Sequence, residues 1–462
     1  MSPRRREFRV LLGLAAPIIL ANLGTMLLHV VDLIMVGRLS TADLAAASLG
    51  GFWVSATILA AMGVVMGIDP IVSQAHGAKD GDRAGIALQQ GILVGLFTSV
   101  LVAVAWAFTE ECLLFLRQDP ALAARAHDYM VVQIPSIPFF TTYVALRQYL
   151  QCREIIMPSV VVTLGANVFN WIFNEVLIFG FGSFEGYGLE GAGIATGLSR
   201  GVMFGGLALY TWRRGLYRGA WPGWTRKAFE WTGLSEVIRH GMAVGSHIGL
   251  EVWAFSASTA MAGILAKNAG SPDTIAAHQT VMSLASVTFM MPMGIGSGVV
   301  TRVGNLIGAA RYEDAQRASW VAFVMGGGVM CLSALLLFSF RFELPRAYSL
   351  EGEALRLAAW ILPIAATFQI FDGLQVVGTG ILRGMGQTTV SALINLIGYW
   401  FLALPLAWWM TFHTELQLSG IWWGLCIGLA LVATMLLFWV RIAGPGTLAP
   451  TPRPDLSPES TS

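Results

Sequence analysis

Three carboxylates lie inside long apolar stretches of this sequence, where an acid is unusual. They are Asp32 in LLHVVDLIMVG, Glu251 in SHIGLEVWAF and Asp372 in FQIFDGLQVVG, and no Lys or Arg stands within one helical turn of any of them. A charge at the centre of a spanning helix costs about 2.5 to 3.5 kcal/mol on insertion-based scales, so each acid should face a cavity or a partner. Burial favours the neutral form of a carboxyl group, which makes each acid a candidate proton carrier. The alternative for each is a purely structural role.

Amide side chains accompany the first of these acids. The stretch GANVFNWIFNEVLIFG places Asn170 and Asn174 one turn apart on the same helical face. Their two amide oxygens can coordinate a cation or hold a carboxylate from the first helix, so a sodium site at Asp32, Asn170 and Asn174 is one interpretation. For Asp32, five residues before Gly37, the alternative is a helix-end carboxylate near the outer headgroups.

Aromatic and methionine side chains accompany the acids along the sequence. Such groups can line a pocket for flat organic cations through cation–π and soft apolar contacts, although lipid-facing packing is the alternative for any single one. The residues that we expect to line a substrate cavity on this ground are Trp253, Phe289, Met290 and Phe368.

The elements that must carry these residues are membrane-spanning helices. Of the 462 residues, 55% are hydrophobic and only 12% are charged, which leaves too few polar groups to cover a soluble globule of this size. A hydrocarbon core about 30 Å thick requires roughly 20 apolar residues per helix. Twelve such runs are predicted, at about 10–36, 44–67, 88–110, 127–150, 157–180, 188–212, 237–265, 275–298, 317–340, 355–382, 390–412 and 418–441.

The positive charges predict the orientation of these helices. With the N-terminus in the cytoplasm, most of the 28 Lys and Arg residues fall in inside segments, and Arg147 and Arg200 remain within predicted runs. The positive-inside rule therefore places both termini in the cytoplasm.

The two halves of the chain resemble each other. Residues 72–84, VSQAHGAKDGDRA, align with residues 303–315, VGNLIGAARYEDA, so that Gly77 matches Gly308 at a shift of 231 residues. Both segments follow the second apolar run of their half. Six helices per half return the chain to the same side of the membrane, so the halves are predicted to be parallel repeats related by an axis along the membrane normal.

The predicted fold is therefore an all-α integral membrane protein with twelve transmembrane helices in two parallel-repeat six-helix lobes. The lobes are assigned to residues 1–212 and 237–441. The basic and aromatic segment between them, 213–236, is predicted to lie on the cytoplasmic face, and a plain connector is the alternative. Residues 442–462 are rich in Pro, Ser and Thr and are predicted to form a disordered cytoplasmic tail.

Several stretches spread over almost the whole chain carry a family resemblance: AAPIILANL, VDLIMVG, DPIVSQAHGA, NWIFNEVLIFG, GLEVWAF, AAHQT, TRVGNLIGAARYEDA and FDGLQVVGTGILRGMGQT. Together they resemble the multidrug and toxic compound extrusion (MATE) family, most closely its bacterial NorM-like exporters. The resemblance implies two lobes around a central cleft and an inner-membrane antiporter that expels cationic or amphiphilic drugs while protons or sodium ions enter. By matching motif, the residues similar to the family's ion-coupling groups are Asp32, Asn170 and Asn174 in the first lobe and Glu251 and Asp372 in the second.

Two positions depart from the related exporters. Ser283 stands where those proteins often have Asn in the eighth helix, and Phe368 stands where a Tyr can precede the acid of the tenth helix. These changes remove oxygens that suit sodium or a polar handle, which favours proton coupling in the second lobe and leaves sodium open in the first. Ser283 is counted with the expected cavity residues.

The resemblance also implies the partners and excludes some classes of function. Small cationic or amphiphilic substrates and membrane lipids are expected, with no nucleic acid, no cofactor other than a coupling proton or sodium ion, and one chain sufficient as a monomer. A lipid-linked oligosaccharide flippase of related architecture is the alternative, but it should have a strongly basic cavity, and the intramembrane charge here is mostly acidic. A membrane-embedded enzyme would need a clustered catalytic set, such as metal-binding His at helical spacing, which this sequence does not offer.

Overall fold

The structure, a computed structural model, describes residues 2–221 and 223–448. Twelve helices in this part of the chain are long and apolar enough to cross a membrane. They are α1 Pro3–Gly37, α2 Thr41–Gly77, α3 Gly81–Ala107, α4 Pro120–Cys152, α5 Met157–Phe179, α6 Gly188–Arg213, α7 Trp231–Ala269, α8 Asp273–Gly308, α9 Tyr312–Ser339, α10 Gly352–Gly384, α11 Thr388–Phe412 and α12 Leu418–Leu448. The predicted all-α class with twelve spans is confirmed.

Most of the helices are longer than the apolar runs that predicted them. A run marks only the part of a helix that matches the hydrocarbon core, and the flanking polar residues continue the helix towards the headgroups. The fourth run, predicted at 127–150, is the clearest case, because α4 begins at Pro120 and is interrupted by a 3-10 turn at Ile134–Ser136. Helix α7 likewise begins at Trp231, so the last residues of the predicted linker 213–236 are helical.

The segments outside the spanning helices also contain local structure. The link between α6 and α7 includes a short 3-10 helix, Arg226–Phe229, and the hydroxyl of Tyr149 in α4 donates to the carbonyl of Ala220 at 2.9 Å. Of the predicted tail, residues 442–448 complete α12. Residues 449–462 lie outside the described residues.

The 231-residue repeat is visible in the bounds of the helices. Moving α3, Gly81–Ala107, along the chain by 231 positions gives 312–338, and α9 spans Tyr312–Ser339. The same shift carries α5, Met157–Phe179, to 388–410, where α11 spans Thr388–Phe412. Helices α1 to α6 therefore form the first lobe, and α7 to α12 form the second lobe.

The lobes touch through two equivalent backbone contacts. A Cβ atom at Gly77 would overlap the carbonyl oxygen of Asn305, and a Cβ atom at Gly308 would overlap that of Gln74. The two contacts are equivalent because residues 77 and 308, like residues 74 and 305, are separated by the repeat length. Glycine permits this close approach of two helix backbones, as small residues commonly do where helices meet in membranes.

The lobes are joined at one face of the bundle, which we call the N-terminal face because α1 begins there. Helix α1 packs on α8 and helix α2 on α7, where Gly63 lies against Gly245. Polar side-chain contacts between the lobes in the described residues lie in this half and include Glu7 with Arg302, Asp69 with Arg383, and Glu154 with Asn305. Near the opposite face, the apolar cluster that includes Met35 and Ala192 contains first-lobe residues alone. The polar side-chain contacts of the described residues therefore join the lobes at the N-terminal face.

Candidate functional site

The first-lobe site is a hydrogen-bonded group that we call the Asp32 cluster: Asp32, Asn170, Asn174 and Thr196. Asn174 Nδ2 donates to Asp32 Oδ1 at 2.7 Å, and Thr196 Oγ1 donates to Asp32 Oδ2 at 2.7 Å. Asn174 Nδ2 also donates to Asn170 Oδ1 at 3.2 Å. Asp32 is only 5% exposed, so it is a buried, hydrogen-bonded acid.

Three helices of the first lobe position this cluster. Helices α1 and α5 are tied together by Asn167, whose Nδ2 donates to the carbonyl of Gly24 at 2.9 Å. One turn separates Asn170 from Asn174, so both side chains project from α5 towards α1. Helix α6 packs along α5 and brings Thr196 to the second oxygen of Asp32.

A buried arginine lies next to the Asp32 cluster. Arg200 follows Thr196 by one turn of α6, and it is 6% exposed. Its Nη1 donates to Ser136 Oγ at 3.1 Å, and it lies on the same face of α6 as Thr196, which donates to Asp32. The fold therefore supplies from α6 the cation that the sequence around Asp32 lacks.

The second-lobe site is a group that we call the Glu251 cluster: Glu251, Asp372, His247 and Tyr399. The hydroxyl of Tyr399 donates to Glu251 Oε1 at 3.1 Å, and His247 Nε2 lies 3.5 Å from Glu251 Oε2. Tyr399 belongs to a π-helical stretch of α11, Ile397–Ala403. Such stretches place side chains out of the ordinary helical register and are frequent at functional sites.

Asp372 is the least satisfied acid of the Glu251 cluster. It is 4% exposed, and its Oδ1 is buried without a hydrogen-bond partner. It lies close enough to Glu251 for two negative charges to repel each other. Within the described ranges, the only ion-pair partner of either acid is the imidazole of His247. Two neighbouring acids, one buried and one largely shielded, without an Arg or Lys partner favour binding of a proton or an external cation.

An amide network supports the histidine of this cluster. Gln375 Nε2 donates to Asn395 Oδ1 at 2.7 Å and lies 3.2 Å from His247 Nε2. Asn395 Nδ2 donates in turn to the carbonyl of Ser391 in its own helix at 2.8 Å. The imidazole of His247, which projects from α7, is thus held by Gln375 of α10 and positioned beside Glu251.

The expected cavity residues are dispersed, although four of the five lie on α7 and α8 and only Phe368 lies on α10. Phe289 and Met290 are half-buried on α8, a placement compatible with lining the cleft. Trp253 is 53% exposed, and because it follows Glu251 by two positions it projects from nearly the opposite side of α7. The structure does not bring Trp253 to the acid.

The other two expected cavity residues have partners of their own. Phe368 is 2% exposed and packs edge to face against Phe255 and Trp422, at centroid distances of 6.1 and 5.9 Å. It belongs to the packed interior of the second lobe and not to an open surface. The hydroxyl of Ser283 lies 3.0 Å from that of Tyr348, which belongs to the segment joining α9 to α10 at the opposite face.

Sequence reasoning did not identify Thr196, Arg200 and Tyr399 as parts of these sites. For Arg200 the signal was present, because an arginine inside the predicted run 188–212 is itself costly and needs a partner. Thr196 gave no signal, since hydroxyl side chains in spanning helices usually bond to their own backbone. Tyr399 depends on the π-helical register of α11, which the run at 390–412 does not reveal.

Comparisons with known proteins agree with this architecture. A family model described as MatE matches residues 17–176 and 247–409. The chain is 32% identical over 451 residues to the probable multidrug resistance protein NorM of Mesorhizobium japonicum, covering 95% of this chain and 94% of that protein. It is 31% identical over 438 residues to multidrug and toxin extrusion protein 2 of Mus musculus, covering 94% and 74%. The crystal structure of the eukaryotic MATE transporter AtDTX14 matches with a TM-score of 0.89 at 24% identity, covering 97% of this chain and 98% of that one.

Proposed function

Since this chain belongs to the MatE family of membrane transporters, we propose that it is an antiporter that exports cationic or amphiphilic organic compounds in exchange for protons or sodium ions. Its relatives carry the names of multidrug resistance and toxin extrusion proteins. The chain is a transporter and not an enzyme, and one copy supplies both lobes of the cleft.

The observation that carries the proposal is the pair of acids in the Glu251 cluster. Glu251, whose side chain is 13% exposed, and the buried Asp372 lie near the middle of α7 and α10, and Asp372 Oδ1 has no hydrogen-bond partner. In a poorly hydrated cavity, a carboxylate that has bound neither a proton nor a cation is energetically costly. Binding of an organic cation and binding of the coupling ion are therefore mutually exclusive, and this exclusion couples export of one to entry of the other.

The arrangement of the lobes supports alternating access. The described contacts close the cleft at the N-terminal face, and the positive-inside rule assigns that face to the cytoplasm of the inner membrane. The structure then corresponds to an outward-facing state, in which the acids take up the coupling ion from outside. Separation of the lobes at the N-terminal face gives the inward-facing state, in which the ion leaves and the substrate enters.

The test is efflux of a fluorescent organic cation from proteoliposomes with proton and sodium gradients imposed separately. The variants are Glu251→Gln, Asp372→Asn and Asp32→Asn, and the control is Glu175→Gln, which changes a half-exposed acid paired with Arg38. We expect gradient-driven efflux by the parent and the control, and its loss in the Glu251 and Asp372 variants. Parental rates in both of those variants would make these acids structural. Efflux under neither gradient would exclude an antiporter of this substrate class.

A further inference from the structure

The Arg200 guanidinium is a cation enclosed in the first lobe. Its Cζ atom lies 5.6 Å from the ring centre of Trp106 and 5.4 Å from that of Phe140. Ser136, which accepts from Nη1, closes the 3-10 turn that interrupts α4. Aromatic faces stabilise a planar guanidinium that has lost its water. The cation is therefore held in a fixed position by uncharged groups.

The buried acid next to this cation along α6 is Asp32, which Thr196 holds by a hydrogen bond. No carboxylate in residues 2–221 and 223–448 forms an ion pair with Arg200 within 4.0 Å, so its charge is not cancelled by direct contact. Thr196, which donates to Asp32 Oδ2, precedes Arg200 by one turn on the same helical face. Arg200 therefore lies one helical turn from the hydroxyl that binds Asp32, and no ion-pair contact joins the guanidinium to the carboxylate.

The oxygens that could hold a sodium ion in this pocket are largely engaged. Asp32 Oδ1 accepts from Asn174, Asp32 Oδ2 accepts from Thr196, and Asn170 Oδ1 accepts from Asn174. Of the carboxylate and amide oxygens of the three residues proposed as a sodium site, Asn174 Oδ1 is the one that is buried without a partner. An oxygen that accepts one hydrogen bond keeps a second lone pair, so the obstacle to a sodium ion here is the positive charge of the neighbouring guanidinium. The residues present do not fit a sodium ion while Arg200 is in place.

We propose that Arg200 is the built-in cation of the Asp32 cluster and a determinant of ion specificity, so that the first lobe does not bind sodium and coupling occurs at the Glu251 cluster. The inference rests on the proposed function and refines it. In the first lobe an arginine follows by one turn the threonine that donates to Asp32, whereas the ion-pair partner of Glu251 in the described residues is the imidazole of His247. A pocket that already contains a positive charge gains little from a second one, whereas an acid pair without one requires a proton or a cation.

The test measures equilibrium binding of radioactive sodium to the purified protein, without substrate. We expect no Asp32-dependent sodium binding by the parent. Arg200→Gln should bind sodium with an affinity at least about tenfold higher than the parent's, because the variant leaves Asp32 without its neighbouring cation. Adding Asp32→Asn to Arg200→Gln should abolish the gained binding. Arg200→Lys, which keeps the charge, should behave like the parent.

The matched control is Arg147→Gln. Arg147 is a second arginine within the first lobe, but its Nη2 donates to Asn22 Oδ1 at 2.8 Å, ten residues before Asp32 in α1. This variant should gain no sodium binding.

The proposal would be overturned if the parent bound sodium and Asp32→Asn removed that binding, even if Arg200→Gln fails to fold. Well-folded Arg200→Gln protein without sodium binding would overturn it as well. Proton-driven efflux by the parent is measured separately, so failure of the proposed function is distinguishable from failure of this inference.

Discussion

Arg383 of α10 and Asp69 of α2 form a buried ion pair across the interface of the two lobes, with Nη2 and Oδ2 2.6 Å apart. Asp69 is fully buried, and Gln148 Nε2 donates to both of its oxygens at 3.0 Å. The repeat shift relates Asp69 to Val300 and Arg383 to Cys152, so this pair has no equivalent in the other half of the interface. Opening of the N-terminal face must separate these two charges.

The first prediction concerns the stability of this interface. Arg383→Gln should destabilise the protein by about 3–5 kcal/mol, because it leaves Asp69 as an uncompensated buried charge. The double variant Asp69→Asn with Arg383→Gln should recover part of the loss. Thermal unfolding of the four proteins of this double-mutant cycle in detergent measures the coupling.

The matched control for the ion pair is Arg317→Gln. Arg317 pairs with Asp314 within α9, and both side chains are partly exposed. Its removal should cost less than about 1 kcal/mol. Equal losses in Arg383→Gln and Arg317→Gln would contradict a special role for the buried pair.

The second prediction uses the symmetry of the lobe interface. Gly77→Ala and Gly308→Ala should each destabilise the closed N-terminal face by about 1–3 kcal/mol, because both added methyl groups overlap a carbonyl oxygen of the other lobe. Gly165→Ala is the control, since a Cβ atom there meets nothing within 4 Å. Thermal unfolding should show similar losses at the two interface glycines and none at the control. If only one of the two alanine substitutions lowered the stability, the two contacts would not be equivalent.

The third prediction concerns the hydroxyl on the π-helical stretch. Tyr399→Phe removes the donor to Glu251 Oε1, and a hydrogen bond to a charged group contributes about 1.5–3 kcal/mol. We therefore expect gradient-driven efflux to slow by about tenfold or more. Tyr143→Phe is the control, because its hydroxyl is also buried but bonds to Thr163 Oγ1 at 2.8 Å in the first lobe. Equal rates in the two variants would exclude a role for Tyr399 in coupling.

The fold could be predicted from the sequence because the length of each apolar run is its strongest signal. The hydrocarbon thickness sets the length of each apolar run, and the repeat at Gly77 and Gly308 groups the runs into two lobes. Helix interruptions were not predictable in the same way. The 3-10 turn at Ile134–Ser136 and the π-helical stretch at Ile397–Ala403 do not interrupt hydrophobicity, so the runs pass through them unchanged.

The sites were predictable where their members lie close in sequence. Asn170 and Asn174 share a face of α5 by helical spacing, and the structure places that face against Asp32. The contribution of α6 was not predictable, because nothing in a single sequence states which helix packs beside α1 and α5. The aromatic set was expected near the acids from sequence proximity, but Trp253 follows Glu251 on nearly the opposite side of α7.

The fourth prediction ranks the members of the Asp32 cluster by their hydrogen bonds. Thr196→Val keeps the shape of the side chain and removes the donor to Asp32 Oδ2, and Asn174→Ala removes the donor to Oδ1. Each should slow gradient-driven efflux by about tenfold, since the orphaned carboxylate oxygen is buried. Asn170→Ala should have a smaller effect, because the Asn170 oxygen accepts from Asn174 and its Nδ2 donates no hydrogen bond to Asp32.

The control for this ranking is Thr142→Val, whose hydroxyl donates to the carbonyl of Pro138 within its own helix at 2.7 Å. Its efflux should match that of the parent, because the change removes no bond to an acid. The ranking depends on the protein groups alone satisfying Asp32. If Asn170→Ala were as damaging as Thr196→Val, Asn170 would have to bind an ion or substrate directly, and the hydrogen-bond account of the cluster would fail.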